Sequence, residues 1–217
     1  MGCHVTALAI GELIISNEKG ELMQVQERAI TLMDAVFPRT TVQNVLLVLF
    51  FAGVTALSAQ LSVRIGWVPI TGQTFAVLLA GALLGSKRGA MSQVTYLAVG
   101  AMGAPIFANW MGGPAEFAGP TGGYLIGFVP AAFVVGLLAE RGWDRRVWTT
   151  ILAMFIGSVV LYAFGLSWLS IWLSRFSPDS SVIGVGLIPF LPGDALKIAL
   201  AAVALPYGWA RLNRNRV

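Results

Sequence analysis

Long runs of apolar residues without a charge dominate this chain and restrict what it can fold into. Residues 43–63 and residues 147–173 are two such runs, and each is long enough to cross a bilayer as a helix. Only helices and closed barrels satisfy every backbone polar group inside lipid. The runs lack the alternation of apolar and polar residues that barrel strands show, so they predict helices.

Composition places the chain in the same class. It has 217 residues, of which 57% are hydrophobic and only 11% are charged. The mean hydropathy is +0.78, whereas a soluble domain has about 25% charged residues. We therefore predict an all-α integral membrane protein, and the length suits one compact helical domain.

Six transmembrane helices are predicted from the order of apolar segments and polar turns. They cover residues 43–63, 70–84, 90–102, 120–140, 147–173 and 192–206. The second and third are shorter than the roughly 20 residues that a crossing normally needs. We expect them to cross a thinned region or to leave room for a loop at their outer ends. The predicted six-helix domain covers residues 42–211, and residues 212–217 form a basic C-terminal tail.

Residues 1–41 differ from the rest of the chain. They hold half of the acidic residues, namely Glu12, Glu18, Glu21, Glu27 and Asp34. Their apolar stretch is too short to cross a membrane and contains Glu12. We expect a cytosolic N-terminal tail, either mobile or an upstream extension ahead of a true start at Met33.

The distribution of lysine and arginine predicts the topology, because basic residues concentrate on the cytoplasmic side. The two loops on the other side hold only Arg64 and Arg175. Both termini are therefore predicted to be cytoplasmic. The cytoplasmic set comprises Lys87, Arg88, Arg141, Arg145, Arg146, Arg211, Arg214 and Arg216.

Asp194 and Lys197 are the acidic and basic residues that we place inside a membrane span. A charge at mid-bilayer costs about 2.5–3.5 kcal/mol on insertion scales, so such residues face protein or water. Their spacing of three puts both on one face of a helix, where they can pair. With the predicted topology they lie in the outer half of the bilayer, below the loops that a solute would meet first. The pair is either a ligand site or a structural ion pair.

Three other features have both a structural and a functional interpretation. The glycines of GPTGGY, residues 119–124, mark a loop-to-helix junction, but they could also let the backbone approach a ligand beside the ring of Tyr124. Gln73 could cap the second span or hydrogen-bond a ligand. Ala52 and Ala56 are small residues four apart, which suits close packing of another helix.

Several functional classes are excluded or disfavoured. The chain has one cysteine and one histidine, so neither a disulfide framework nor a cysteine or histidine metal cluster is expected. It has no phosphate-binding P-loop, nucleophile elbow or zinc pattern, so we predict no enzyme activity. The net charge of +4 comes from span ends, where topology explains it, and does not indicate nucleic acid. The residues alone predict an outward-facing pocket for a small amphipathic solute.

Five motifs occur in an order and spacing that resemble the BioY family, the biotin-specific substrate-binding (S) components of energy-coupling-factor (ECF) transporters. They are VPITGQTF at 68–75, LLGSKRG at 83–89, GAPIF at 103–107, GPTGGY at 119–124 and PGDALK at 192–197. The resemblance covers about residues 41–210 and leaves the N-terminal tail outside. It implies the six-helix S-component fold in the multi-pass cell membrane of a prokaryote.

The resemblance also implies a ligand and partners. Biotin would be captured from the extracytoplasmic side, with Asp194, Lys197, Gln73, Gly122, Gly123 and Tyr124 as the binding residues. Ala52 and Ala56 match the face of the first helix that docks on a transmembrane coupling protein. ATP would be used by that protein's two ATPase partners, so this chain would bind no cofactor or metal.

Two alternatives to this function stay open. One is a solitary biotin carrier that works without ATPases, alone or as a homo-oligomer, and the other is a membrane scaffold whose ion pair is structural. The sequence also departs from the family pattern at two positions. Leu125 stands where some members have arginine, and Met111 where some have asparagine, with Asn109 offset by two. Lys197 is therefore expected to have a larger share of carboxylate binding.

Overall fold

The computed structural model of this chain describes residues 31–37, 40–63 and 66–214. Six helices of twelve or more residues form the body of this part. We label them α1 (Thr41–Gln60), α2 (Gln73–Leu84), α3 (Ser86–Ala101), α4 (Gly122–Glu140), α5 (Val147–Phe176) and α6 (Leu191–Arg214). The predicted all-α architecture is therefore found.

Shorter elements connect these helices. Strands β1 (Ser62–Val63) and β2 (Ile70–Thr71) pair antiparallel between α1 and α2. Short helices cover Leu32–Val36, Ala115–Ala118 and Val182–Gly186. Single 3-10 turns cover Ala108–Trp110, Trp143–Arg145 and Ile188–Phe190.

Four stretches of the described residues are long and apolar enough to cross a membrane. They are Thr41–Gln60, Gly122–Glu140, Val147–Phe176 and Val182–Leu212, and α2 is a shorter apolar helix. The chain is therefore a multi-pass helical membrane protein. The remaining predicted crossings correspond to α2, with 12 residues, and α3, with 16 residues, so the count of six crossings stays a prediction.

Tertiary contacts set the helix ends that differ from the sequence-based bounds. The first helix ends at Gln60 rather than at residue 63 because Ser62 and Val63 pair with Thr71 and Ile70. The last helix continues through Pro206 to Arg214. The third begins four residues early, at Ser86, where the Glu140 Oε1 atom accepts from the Ser86 N–H at 2.7 Å and from its hydroxyl at 2.8 Å. A carboxylate at a helix N-terminus is favoured by the helix dipole.

Helix α4 lies at the centre of the bundle and packs against α2, α3 and α5. Its Ala131, Ala132 and Val135 are fully buried. Small residues let the neighbouring backbones approach it closely. A Cβ atom at Gly81 of α2 would lie 2.4 Å from the Ala132 carbonyl oxygen, and one at Gly136 would lie 2.4 Å from the Ser86 nitrogen. This use of small residues at helix contacts is typical of membrane bundles.

The two ends of the bundle differ in chemistry. One end carries β1, β2 and the segments 102–121 and 177–190, and we call it the cavity end. The other end carries the turns 85–87 and 141–146 and the C-terminal part of α6, and we call it the basic end. It holds Lys87 and Arg88 in the first turn of α3, and Arg141, Arg145 and Arg146 between α4 and α5.

The helix Leu32–Val36 packs on the basic end, although residues 1–41 were predicted as a free tail. Arg88 donates hydrogen bonds to Asp34 Oδ1 at 2.7 Å, Thr31 Oγ1 at 3.2 Å and Asn44 Oδ1 at 2.9 Å. On the other side Leu32 contacts α6 at Gly208, where a Cβ atom would lie 2.9 Å from Leu32 Cδ1. Residues 31–37 of the predicted tail therefore contact the bundle, with Arg88 pairing with Asp34, and the domain boundary at residue 41 stays a prediction. Residues 1–30 lie outside the described part.

Candidate functional site

A cavity of about 440 Å³ opens at the cavity end. This volume is within the range of about 300–1,000 Å³ that is typical of small-molecule sites. Its wall combines the residues before β2 and α2, the segment between α3 and α4, the first turns of α4, the middle of α5 and Phe190. The segments that form it are far apart in sequence, so the bundle must be assembled before the site exists.

Aromatic rings form one wall of the cavity. Tyr124 lies with its ring centroid 6.3 Å from Phe190, nearly parallel at 24°, and 6.3 Å from Tyr162, at right angles to it. The Tyr124 hydroxyl donates to the Gly186 carbonyl at 2.8 Å. Gly165 of α5 lies directly against the Tyr124 ring, because a Cβ atom there would be 2.3 Å from it. Tyr124 therefore offers the cavity its ring, while its hydroxyl proton is used within the protein.

Polar side chains at the start of α2 also line the cavity. Gln73 is buried and lines the cavity. Its Nε2 donates to the Tyr96 hydroxyl at 2.5 Å, and its Oε1 accepts from the Thr71 hydroxyl at 3.0 Å. An amide has two N–H donors and two acceptor lone pairs, so Gln73 keeps one of each for a ligand.

Asp194 and Lys197 lie behind the cavity wall rather than in it. Lys197 Nζ donates to the Thr71 carbonyl at 3.1 Å, to Thr74 Oγ1 at 2.7 Å and to Asp194 Oδ1 at 3.1 Å. An ammonium group has three N–H donors, so protein acceptors occupy all of them. Neither charged residue lines the main cavity, and both line a narrow crevice of about 10 Å³ beside α2 and α5.

Tyr162 and Thr74 connect the ion pair to the cavity, since both line it and both contact the pair. Tyr162 donates a short hydrogen bond to Asp194 Oδ2. Thr74 accepts from Lys197 and donates to Asp194 Oδ1 at 3.5 Å. Because the Tyr162 proton is donated to the carboxylate, the phenol oxygen can act towards other groups only as an acceptor. The ion pair thus orients the hydroxyl groups that a ligand would meet.

Glu116 is the one charged residue among the lining residues of this cavity in the described part of the chain. Among the residues that the structure describes, no lysine or arginine lines it, and Leu125 contributes an apolar surface. Asn109 and Met111 both line it. Lys197 is a cation of the described part of the chain that contacts the wall, through Thr71 and Thr74.

Gly122 and Gly123 are not among the lining residues of this cavity. A Cβ atom at Gly122 would lie 2.0 Å from the Phe117 carbonyl oxygen, and one at Gly123 would lie 2.3 Å from Trp168 Cβ. The two glycines thus allow α4 to begin tightly against the residue 115–118 helix and against α5. Their role as ligand contacts stays a prediction, whereas their packing role follows directly from these distances.

The two alanines of the predicted docking face differ in their exposure. Ala52 is buried within the chain, with 8% of its surface exposed, and Ala56 is half-buried against the core. Gly53, the next residue, is exposed, and a Cβ atom there would meet nothing within 4 Å. Docking through Ala52 and Ala56 stays a prediction, and Ala52 would need a change in its surroundings to contact a partner.

Several cavity residues were not predicted from the sequence, notably Tyr162, Thr74, Phe190 and Trp67. Thr74 lies next to Gln73 within the motif at 68–75, and a hydroxyl there was a usable signal. Tyr162 lies in the middle of the long apolar segment of α5, where a polar phenol needs a partner. The position of Phe190 carries no signal in the sequence.

An apolar helical bundle with a mixed aromatic and polar cavity at one end defines a membrane protein that binds a small solute. Comparison with known proteins agrees with this class. The chain matches the model of the BioY family over residues 27–214. It is 42% identical over 161 residues to the probable biotin transporter BioY of Pyrococcus horikoshii, covering 74% of this chain and 93% of that protein. It is 40% identical over 176 residues to the biotin transporter BioY of Rhodobacter capsulatus, covering 74% and 90%.

A solved structure shows the same fold. The crystal structure at 2.1 Å of the S-component for biotin from an ECF-type ABC transporter matches with a TM-score of 0.67 and 29% identity, covering 78% of this chain and 93% of that one. The chain belongs to the BioY family. The family consists of transport proteins, so the prediction that the chain is not an enzyme is confirmed. The match begins at residue 27, which brings the helix Leu32–Val36 into the family region.

Proposed function

We propose that this chain is an S component that binds biotin from the extracytoplasmic side and passes it across the membrane. The relatives named above are biotin transporters, and the solved neighbour is an S-component for biotin. The observation that carries the proposal for this chain is its cavity of about 440 Å³, which is lined by both aromatic and polar side chains. We further propose six crossings with both termini cytoplasmic, which places the cavity outside.

The chemistry of biotin suits this cavity. Biotin has a ureido ring with two N–H donors and a carbonyl acceptor, an apolar sulfur ring and a carboxylate tail. The Tyr124, Tyr162 and Phe190 rings offer apolar surface to the fused rings. The phenol oxygen of Tyr162 can accept a ureido N–H, and the free N–H of Gln73 can donate to an acceptor.

The carboxylate needs a donor, and the described lining residues include no cation. Lys197 is the nearest candidate, because it already contacts Thr71 and Thr74 of the wall. Exchange of one of its three protein acceptors for a ligand oxygen would bring the charge to the cavity. Asp194 would then keep Tyr162 and Thr74 as partners, so its charge would stay solvated by hydrogen bonds.

Thermal unfolding of the purified protein with biotin tests this function. A ligand that binds only the folded state at 100 times its Kd stabilises it by about 2.7 kcal/mol, or roughly 5–10 °C in Tm for a chain of this size. We expect this shift with biotin and no shift with a vitamin of unrelated shape. An unchanged Tm with biotin at high concentration would refute the proposal and favour a membrane scaffold.

Variants of the ion pair extend the test to the site. Asp194→Ala and Lys197→Ala should remove the biotin shift. Asp179→Ala and Lys87→Ala are matched controls, because both side chains belong to exposed residues outside the cavity wall. Normal binding by both ion-pair variants would show that the site lies elsewhere.

We also propose that transport uses a transmembrane coupling protein and ATPases, with ATP bound by those partners. Biotin uptake in cells with and without a coupling module tests this part separately. Uptake that is unchanged without any module would instead support a solitary carrier.

A further inference from the structure

A tight turn with unfavourable backbone geometry lies at the rim of the cavity. Residues 107–111, which we call the rim turn, form an antiparallel bridge in which the Phe107 N–H donates to the Met111 carbonyl at 2.9 Å. Asn109 and Met111 line the cavity and are also exposed to solvent. The rim turn therefore forms part of the cavity wall that also faces solvent.

Two successive residues of the rim turn have left-handed backbone. Asn109 has φ +58° and Trp110 has φ +60°, and they are the two residues other than glycine with positive φ in the described part of the chain. Asparagine tolerates this region, but a bulky residue such as tryptophan rarely adopts it. A turn of this kind persists only where its surroundings hold it.

Gln60, the last residue of α1, holds both sides of the rim turn. Its Nε2 donates to the Phe107 carbonyl at 3.0 Å and to the Ile106 carbonyl at 3.4 Å. Its Oε1 accepts from the Trp110 N–H at 3.1 Å. One planar amide therefore binds the residue at which the turn begins and the strained residue near its end.

We propose that Gln60 is a positioning residue that keeps the rim turn closed over the bound solute and thereby sets how fast the solute leaves. This proposal rests on the proposed function, since the solute is taken to be biotin. The side chain of Gln60 is outside the lining of the cavity, so it acts through the turn and not on the ligand. The strain at Trp110 favours opening, and the hydrogen bonds of Gln60 oppose it.

The first experiment compares biotin dissociation from wild type and from Gln60→Leu, which keeps the side-chain bulk but cannot make the hydrogen bonds. Loss of these bonds should raise the dissociation rate and weaken affinity about tenfold. Leu57→Ala, an exposed position one turn earlier on α1, is the matched control and should leave both unchanged. Wild-type rates in Gln60→Leu would overturn the proposal.

A rescue variant separates positioning from general loss of structure. Glycine adopts positive φ without steric cost, so Trp110→Gly in the Gln60→Leu background should restore slow dissociation. If Trp110→Gly does not restore slow dissociation and Gln60→Leu is also less stable without biotin, Gln60 contributes to the stability of the fold and does not position the rim turn for the ligand.

A ligand-free measurement keeps the proposal testable if biotin is not the solute. Amide hydrogen exchange at Trp110 reports opening of the rim turn in the absence of any ligand. Exchange should be about tenfold faster in Gln60→Leu than in wild type, because the N–H loses its acceptor. Faster exchange in a protein that does not bind biotin would refute biotin as the ligand but support the positioning of the rim turn by Gln60. Unchanged exchange would refute this positioning role itself.

Discussion

The hydroxyl of Tyr162 is the point at which the buried charges meet the cavity. Tyr162 lines the cavity and its hydroxyl donates to Asp194, while Asp194 itself lies behind the wall. A hydrogen bond to a charged group contributes about 1.5–3 kcal/mol. Removing the hydroxyl takes away this donor and also the acceptor that faces a ligand.

Tyr162→Phe should therefore weaken biotin binding by roughly 10- to 100-fold, as measured by titration calorimetry. Tyr207→Phe is the matched control, because Tyr207 is exposed on α6 and its hydroxyl accepts from Arg211 away from the cavity. If Tyr162→Phe binds normally while Asp194→Asn does not, Asp194 acts on the ligand without Tyr162.

Among the contacts between elements, Arg88 joins the helix Leu32–Val36 to the helical bundle. Arg88 belongs to α3 and donates to Asp34, Thr31 and Asn44, so it joins this short helix to α1 and α3. The Asp34 side chain is 3% exposed, and Arg88 is 20% exposed. Loss of the cation would leave a buried carboxylate with fewer partners, which is costly.

Arg88→Met should destabilise the protein by about 2 kcal/mol, a fall of roughly 4–8 °C in Tm. Lys87→Met, at the adjacent exposed residue of the same turn, should change it little. Biotin affinity should stay unchanged, because the cavity lies at the opposite end of the bundle. A fall in affinity as large as the fall in stability would show that the N-terminal helix influences the site.

Asp144 connects the turn between α4 and α5 to the end of α6, because it accepts a hydrogen bond from Trp209. Its burial makes the stability of the protein depend on pH. Burial raises its pKa to about 6, and the Trp209 N–H at 2.6 Å and the Arg145 charge lower it only in part. Its Oδ1 atom is buried and accepts no hydrogen bond from the residues that the structure describes. Because the folded state holds the proton more tightly than the unfolded state, the free energy of unfolding falls as the pH rises between about 4 and 6.

Above pH 6, where Asp144 is ionised in the folded state, its burial lowers the free energy of unfolding by about 3 kcal/mol. Asp144→Asn removes the charge, so it should be more stable than wild type at pH 7.5 and similar to it near pH 4.5. Unfolding followed across this pH range in wild type, Asp144→Asn and the exposed control Asp179→Asn measures the difference. A wild-type curve parallel to that of Asp144→Asn would contradict the assignment.

Across the whole molecule, local pattern predicted the elements and long-range contacts decided the site. The end of α4 at Glu140 and the start of α6 beside Pro192 match the sequence-based bounds, because apolar runs and turn residues mark them. The sequence could not show that Lys197 donates to Thr71 and Thr74, more than 120 residues away. Trp110 likewise has left-handed backbone without a glycine signal, and its N–H donates to Gln60, which lies 50 residues earlier in the chain.

The number of crossings is a property of the whole molecule that helix length alone leaves open. At 1.5 Å per residue, α2 is about 18 Å long and α3 about 24 Å, both shorter than a hydrocarbon core of about 30 Å. The segments at the cavity end can cover the remaining thickness of the hydrocarbon core, because β1, β2 and residues 102–121 extend the bundle beyond the ends of these helices. Basic residues at the other end favour its cytoplasmic position.

Single cysteines test this topology once Cys3 is replaced by serine. With six crossings and both termini inside, cysteines at Met102 and Asp179 should react with an impermeant maleimide in intact cells. Cysteines at Lys87, Arg146 and Arg211 should react only after permeabilisation, and all five positions are exposed in the structure. Labelling of Lys87→Cys in intact cells would show that α2 and α3 do not complete their crossings. Labelling of Arg211→Cys but not Asp179→Cys would invert the topology and place the cavity on the cytoplasmic side, where capture of an external solute is impossible.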